Sequence, residues 1–174
     1  MVLDRRLFFF FVGATLGLAL AGDAREPRWS EAEQLAFLSQ HWRLPIPLQG
    51  KPPARFTPVE ASLQPESCGT CHPAQLADWQ TSLHAKSMGP GVKGQLVEMV
   101  ESDPASALQC YTCHASLTEQ QEKMDDGKGG YVANRAFNAK LQARGLTCAA
   151  CHVRQHQRFG PPKRDGSLAS ELPG

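Results

Sequence analysis

The sequence predicts a mainly α-helical fold with extensive loops and little or no sheet. Three observations predict it. Helix start and stop signals recur along the chain, a proline-rich stretch follows the first of them, and three C-x-x-C-H units recur too closely for each to build its own core. That leaves roughly 50 residues per unit, close to the size below which a chain needs external staples to fold.

Taken in order, Ser30 and Glu33 form a capping-box pattern ahead of Leu35, Phe37 and Leu38, which predicts a helix from Ser30 to Trp42. Pro45, Pro47, Pro52, Pro53, Pro58 and Pro65 make residues 43–67 an extended connector. It either wraps the haem core, as extended segments cover porphyrin edges well, or serves as a simple linker. Pro73 suits the first turn of a helix running to about Met88, stopped by Gly89-Pro90-Gly91. A short helix is expected around Gln95 to Glu101. Asp103-Pro104 then supplies an N-cap and a first-turn proline for a helix leading into the second C-x-x-C-H unit. Asp125 to Gly130 reads as a glycine-rich turn, Asn134 to Arg144 as helix ending at Gly145, and the chain from about Gly160 as a polar tail.

The start of the chain predicts export. Arg5 and Arg6 precede an apolar run from Leu7 to Ala21 that ends in Ala19-Leu20-Ala21, a small-x-small cleavage pattern. The run is shorter than the roughly 20 residues a bilayer span needs, so residues 1–21 read as a signal peptide and the mature chain keeps no membrane span. The expected divisions are 1–21 (signal peptide), 22–67 (helix and connector), 68–159 (the C-x-x-C-H region) and 160–174 (tail). Of 18 basic and 17 acidic residues, cleavage removes Arg5, Arg6 and Asp4 and leaves the charges balanced. Nucleic-acid binding, which needs clustered basic surface, is not expected.

The cysteines carry the functional reading. All six fall in Cys68-Gly69-Thr70-Cys71-His72, Cys110-Tyr111-Thr112-Cys113-His114 and Cys148-Ala149-Ala150-Cys151-His152. This is the signature of covalent haem c attachment. Two thiols add across the vinyl groups of one porphyrin edge, two intervening residues form the turn that presents both sulfurs, and the next imidazole lies under the ring to take an axial position on iron. A closed zinc site does not ask for a histidine after every pair. A thioredoxin-like motif would occur once, in a βαβ setting. Short disulfides would leave the histidines unexplained. The expectation is three haem c groups, with His72, His114 and His152 as proximal ligands.

The sixth iron position sets the chemistry: a second histidine makes a low-potential carrier, an open position admits small ligands. His41, His84 and His156 lie outside the motifs. On one continuous helix His84 would lie roughly 18 Å beyond His72 and could not serve the same iron. His156, four residues after His152, must also serve another haem if it serves any. His84 is a ligand to a neighbouring haem or a surface histidine, His156 a ligand or a hydrogen-bond partner of a propionate, His41 a third candidate ligand at the end of the first helix, and Met88 reads as packing.

Cys68 to Met88, CGTCHPAQLADWQTSLHAKSM, resembles the first haem segment of a multihaem c-type cytochrome family. That family includes the tetrahaem partner of hydroxylamine oxidoreductase, the oxidoreductase itself and pentahaem nitrite reductase. The shared pattern is C-x-x-C-H followed by Trp79, Ser82, His84 and Ala85, and Gly145-Leu146-Thr147-Cys148 is also similar. The resemblance covers about half the mature chain. It implies that His84 ligates the haem at Cys148 and Cys151, and that His156 ligates the haem at Cys68 and Cys71. Two departures stand out: His156 follows its motif more closely than in the tetrahaem relative, and there is no fourth C-x-x-C-H. In that relative the second motif's haem lacks a distal ligand; whether the haem at Cys110, Cys113 and His114 is also open turns on His41.

These observations point to electron transfer between redox partner proteins of the cell envelope, in the periplasm, by a carrier rather than an enzyme. Six propionates would make the holoprotein acidic and steer docking to a positively charged partner. The alternative is a small-ligand redox enzyme acting on nitrite, hydroxylamine or nitric oxide at an open haem on His114. Membership of a larger cytochrome assembly is a further possibility the sequence leaves open.

Overall fold

The computed structural model describes residues 30–160, and roughly half of them are helical. The expected signal peptide and the tail beyond Gly160 lie outside the described residues. The helices are α1 (Glu31–His41), α2 (Pro58–Ala61), α3 (Pro65–Gly69), α4 (Pro73–Thr81), α5 (Pro90–Ser102), α6 (Pro104–His114), α7 (Ala139–Gln142) and α8 (Cys148–His152). Strands β1 (Lys123–Asp125) and β2 (Tyr131–Ala133) form one antiparallel hairpin, and β3 (Val153–Arg154) and β4 (Gln157–Arg158) another. The expected fold class is what the structure has.

The helix starts follow local chemistry. Helices α2 to α6 each open on a proline, whose fixed φ suits a first turn and whose missing N–H would have no intrahelical partner there. Ser30 caps α1 in a full capping box with Glu33, and Asp103 accepts from the Ser106 amide at the start of α6.

Three expected boundaries move. Helix α4 stops at Thr81, well short of Met88, because the Ser82 amide and hydroxyl both bond to the Trp79 carbonyl (2.9 and 2.6 Å), drawing the backbone out of helix into turns over residues 82–88. The helical separation of His72 from His84 therefore does not apply past Thr81. Pro90 begins α5 instead of ending the helix before it, with Gly89 as N-cap, so that helix is longer than the Gln95 to Glu101 expected. Only 139–142 of the expected 134–144 helix forms. Asn134 instead spends its side chain on the Thr118 and Gln121 carbonyls (2.7 and 2.9 Å), and Asn138 caps α7.

The connector is not extended throughout, since Pro58 and Pro65 begin helices in it, and its first part packs against the chain after α6. The Ile46 amide donates to the Ser116 carbonyl (2.9 Å) and the Thr118 amide to the Ile46 carbonyl (3.0 Å), pairing the connector with the chain after α6. Ile46 then joins Leu117, Leu141, Ala149 and Ala150 in one buried cluster. A second cluster, Met88, Leu96, Ala107, Tyr111 and Ala115, lies between α5, α6 and the 82–88 turns. Met88 is packing, as expected. No helix among the described residues is long and apolar enough to cross a membrane.

Candidate haem-attachment sites

Each C-x-x-C-H unit sits on a short helix or at a helix end. Cys68 lies in α3, with Cys71 and His72 in the break before α4; Cys110, Cys113 and His114 finish α6; Cys148, Cys151 and His152 make up most of α8. Residues three apart on a helix share a face, so the two cysteines of the second and of the third pair lie on one face of α6 and of α8. All six thiols are free, and Cys71 and Cys113 are exposed. Helices α3 and α8 touch, which brings the first and third motifs together. The neighbouring Cys148 thiol holds Cys68 below the ordinary thiol value, while the Cys68 sulfur, then burial, raises Cys148.

The motif histidines supply the test of fit to a haem. The His114 Nδ1 lies 2.6 Å from the Ser87 carbonyl and the His152 Nδ1 2.8 Å from the Phe159 carbonyl. A carbonyl only accepts, so each Nδ1 carries the proton and each Nε2 keeps its lone pair. This is the tautomer and orientation that an axial imidazole needs. The His72 ring is exposed. The residues fit: paired thiols could hold a porphyrin edge, and the adjacent Nε2 its iron. A bound haem supplies one-electron iron chemistry, with potential set by axial ligands and burial.

The remaining histidines separate. His84 is exposed, in the turns between α4 and α5, and its carbonyl accepts from the Leu146 amide (3.0 Å), two residues before Cys148. Gly145 makes this contact possible. Its φ is +68°, and a Cβ there would meet the Ser87 Oγ at 2.4 Å and the His84 carbonyl at 2.5 Å. The Trp79 indole N–H adds a bond to the Leu146 carbonyl (2.8 Å). His156 occupies the β3–β4 turn with Gln155, both at positive φ (61° and 51°), the left-handed pair a two-residue hairpin loop requires. Its ring is buried beside Phe56 and donates from Nε2 to the Gly50 carbonyl (3.1 Å). It lines a cavity of about 300 Å³ with Ser62, Leu63 and Gln64, the residues leading into α3 and Cys68.

His41 lies against the third motif. Its Nε2 donates to the Cys151 carbonyl (2.8 Å), its ring packs between Phe37, Trp42 and Phe159, and its carbonyl receives two N–H groups from Arg154 (2.8 and 2.5 Å). Burial holds its pKa below the ordinary histidine value. Its Nδ1 is buried without a hydrogen-bond partner.

The second motif carries a polar anchor that its sequence did not announce. Tyr111, 2 % exposed, donates its hydroxyl to Glu122, and Gln142 donates to both the tyrosine oxygen (3.0 Å) and Glu122 Oε1 (2.8 Å). Burial, then Glu122, pushes the phenol far above its ordinary pKa. Tyr111→Phe would leave a Glu122 oxygen without its donor. The expected cost is about 1–3 kcal/mol, read as a lower melting temperature of the holoprotein. Ser87 and Phe159 also escaped the sequence reading, since each meets its histidine through a backbone carbonyl that any residue type supplies.

Comparison with known proteins agrees with this geometry. Residues 47–159 match the family model described as outer membrane cytochrome MtrC/MtrF-like, domains II/IV. The chain is 31% identical over 108 residues to cytochrome c-554 of Nitrosomonas europaea, an alignment covering 58% of this chain and 42% of that one. The chain thus spans less than half the length of this curated relative. No solved structure matches it. With the family match running from the connector through the third motif, this chain belongs to the MtrC/MtrF-like family of multihaem c-type cytochromes.

Proposed function

We propose that this protein is an exported trihaem carrier passing electrons between redox partners of the cell envelope. In this reading Cys68/Cys71, Cys110/Cys113 and Cys148/Cys151 each hold one haem c, with His72, His114 and His152 as proximal ligands. His84 ligates the haem of the third motif and His156 that of the first, so that the two haems are cross-ligated. The observation that carries this is the pairing of neighbours: the His84 carbonyl is bonded to Leu146 beside the third motif, and His156 faces the residues entering the first. Ligation by His156 through Nε2 requires it to release the Gly50 carbonyl. The contact between α3 and α8 supports close spacing of the first and third haems, as stepwise electron transfer needs.

A second reading is favoured at one iron. His41 bonds to Cys151 and packs with Phe159, and this supports a role at the third motif rather than as distal ligand to the second. The haem on His114 then keeps an open sixth position, where nitrite, hydroxylamine or nitric oxide would bind.

Carbon monoxide added to dithionite-reduced holoprotein tests both. The reading predicts a Soret shift from about one haem in three, since only five-coordinate ferrous iron takes the ligand readily. No shift would mean a ligand occupies the His114 iron and would remove the second reading. A shift from all three would overturn the cross-ligation.

A further inference from the structure

The hydrogen bond from His114 leads back to a residue outside every haem motif. Ser87 meets three segments. Its carbonyl accepts the His114 Nδ1 proton at 2.6 Å. Its hydroxyl proton is shared between the carbonyls of His84 (2.9 Å) and His114 (2.8 Å), and its Oγ accepts from the Leu146 amide at 2.9 Å. The chain beyond the first motif, the second motif's histidine and the approach to the third are therefore held at one side chain. Gly145 crosses so closely that no side chain would fit.

We propose that Ser87 is the positioning residue of the second haem. Its carbonyl fixes the His114 ring with Nε2 free for iron, and its hydroxyl holds that carbonyl in place. This rests on the reading of His114 as an axial ligand.

The bond has an electronic consequence as well as an orienting one. An imidazole that donates its Nδ1 proton to a strong acceptor is a more basic ligand at Nε2. A more basic ligand stabilises ferric over ferrous iron and lowers the potential. A serine at 87 is needed because the carbonyl has no other fastening of this kind: the hydroxyl bridges directly to the backbone of the residue whose ring the carbonyl orients. The third motif solves the same problem differently. There the Phe159 carbonyl takes the His152 proton, and the Phe159 amide donates to the His152 carbonyl (2.8 Å), a reciprocal pair needing no side chain.

The test is a spectroscopic redox titration of holoprotein carrying Ser87→Ala or Ser87→Thr, with haem content measured on each. Ser87→Ala should raise the potential of one component, the one whose potential carbon monoxide also raises, while Ser87→Thr, which keeps the hydroxyl, should restore it. Unchanged potentials in Ser87→Ala at full haem content would overturn the proposal, as would an equal displacement of all three components in both variants. If Ser87→Ala does not mature, wild-type holoprotein decides the matter: deuterium exchange of the His114 Nδ1 proton should be at least about tenfold slower than that of His72. Equal exchange rates would overturn the proposal. A wild-type protein lacking haem at Cys110 and Cys113 would instead defeat the underlying reading, which the haem content reports separately.

Discussion

Expressed without cytochrome c maturation, this chain should fail to fold: the helical circular dichroism of the holoprotein should be largely lost and no cooperative melt should remain. The reason lies in how little the polypeptide buries by itself. Ten apolar residues among those described are fully buried, four of them alanines, and they divide into two separate clusters. At about 1.5–3 kcal/mol for each fully buried large side chain, and against roughly 1–2 kcal/mol of backbone entropy per ordered residue, such a core cannot hold 131 described residues. Leu83, Val97 and Leu35 are more than 60 % exposed, further apolar surface that the polypeptide leaves uncovered. Porphyrins tethered at the six thiols would supply the missing apolar volume, coupling cofactor attachment to folding as in small metal domains. A cooperative melt of the unmatured chain near that of the holoprotein would refute this account.

Replacing His84 by alanine should have the next largest effect. The variant keeps all six thiols and all three proximal histidines, so its haem content should match wild type. It loses the distal ligand proposed for the third motif's haem. The fraction of haem responding to carbon monoxide should rise from about one in three to about two in three as that iron becomes five-coordinate. The potential of the affected haem should rise, because removal of a basic ligand disfavours the ferric state. Stability should fall too, since the link between the chain after the first motif and the approach to the third would rest on hydrogen bonds around Leu146 alone: its amide to the His84 carbonyl and Ser87 Oγ, and the Trp79 indole to its carbonyl. An unaltered carbon monoxide response would show that His84 ligates nothing.

The contrast between what the sequence revealed and what it hid follows the physics. The capping box at Ser30 and Glu33 and the Asp103-Pro104 start were legible because they depend on residues within one helical turn. The C-x-x-C-H units were legible because covalent chemistry fixes both residue type and spacing. The end of α4 was missed because it depends on one serine, Ser82, turning its hydroxyl back onto Trp79 instead of out to solvent. The loss of the helix at 134–138 was missed because Asn134 is claimed by carbonyls at 118 and 121, contacts that exist only in the folded chain. Within the site the same division holds. His84 and His156 were singled out by residue type, but the position of His41 beside Cys151, and the roles of Ser87 and of Tyr111 with Glu122, depend on residues 11 to 110 apart in the chain. Prolines were the residues most easily misread. A proline that ends one helix and a proline that begins the next look alike in sequence, and at Pro90 the second was the case.

The measurement closest to the central claim is the intact mass of purified holoprotein under denaturing conditions, which strip any haem that is not covalently bound. The account predicts a single species carrying three haem additions, shortened at its start by removal of the residues through Ala21. A species with fewer additions, or one whose haem leaves the chain in acid, would contradict it.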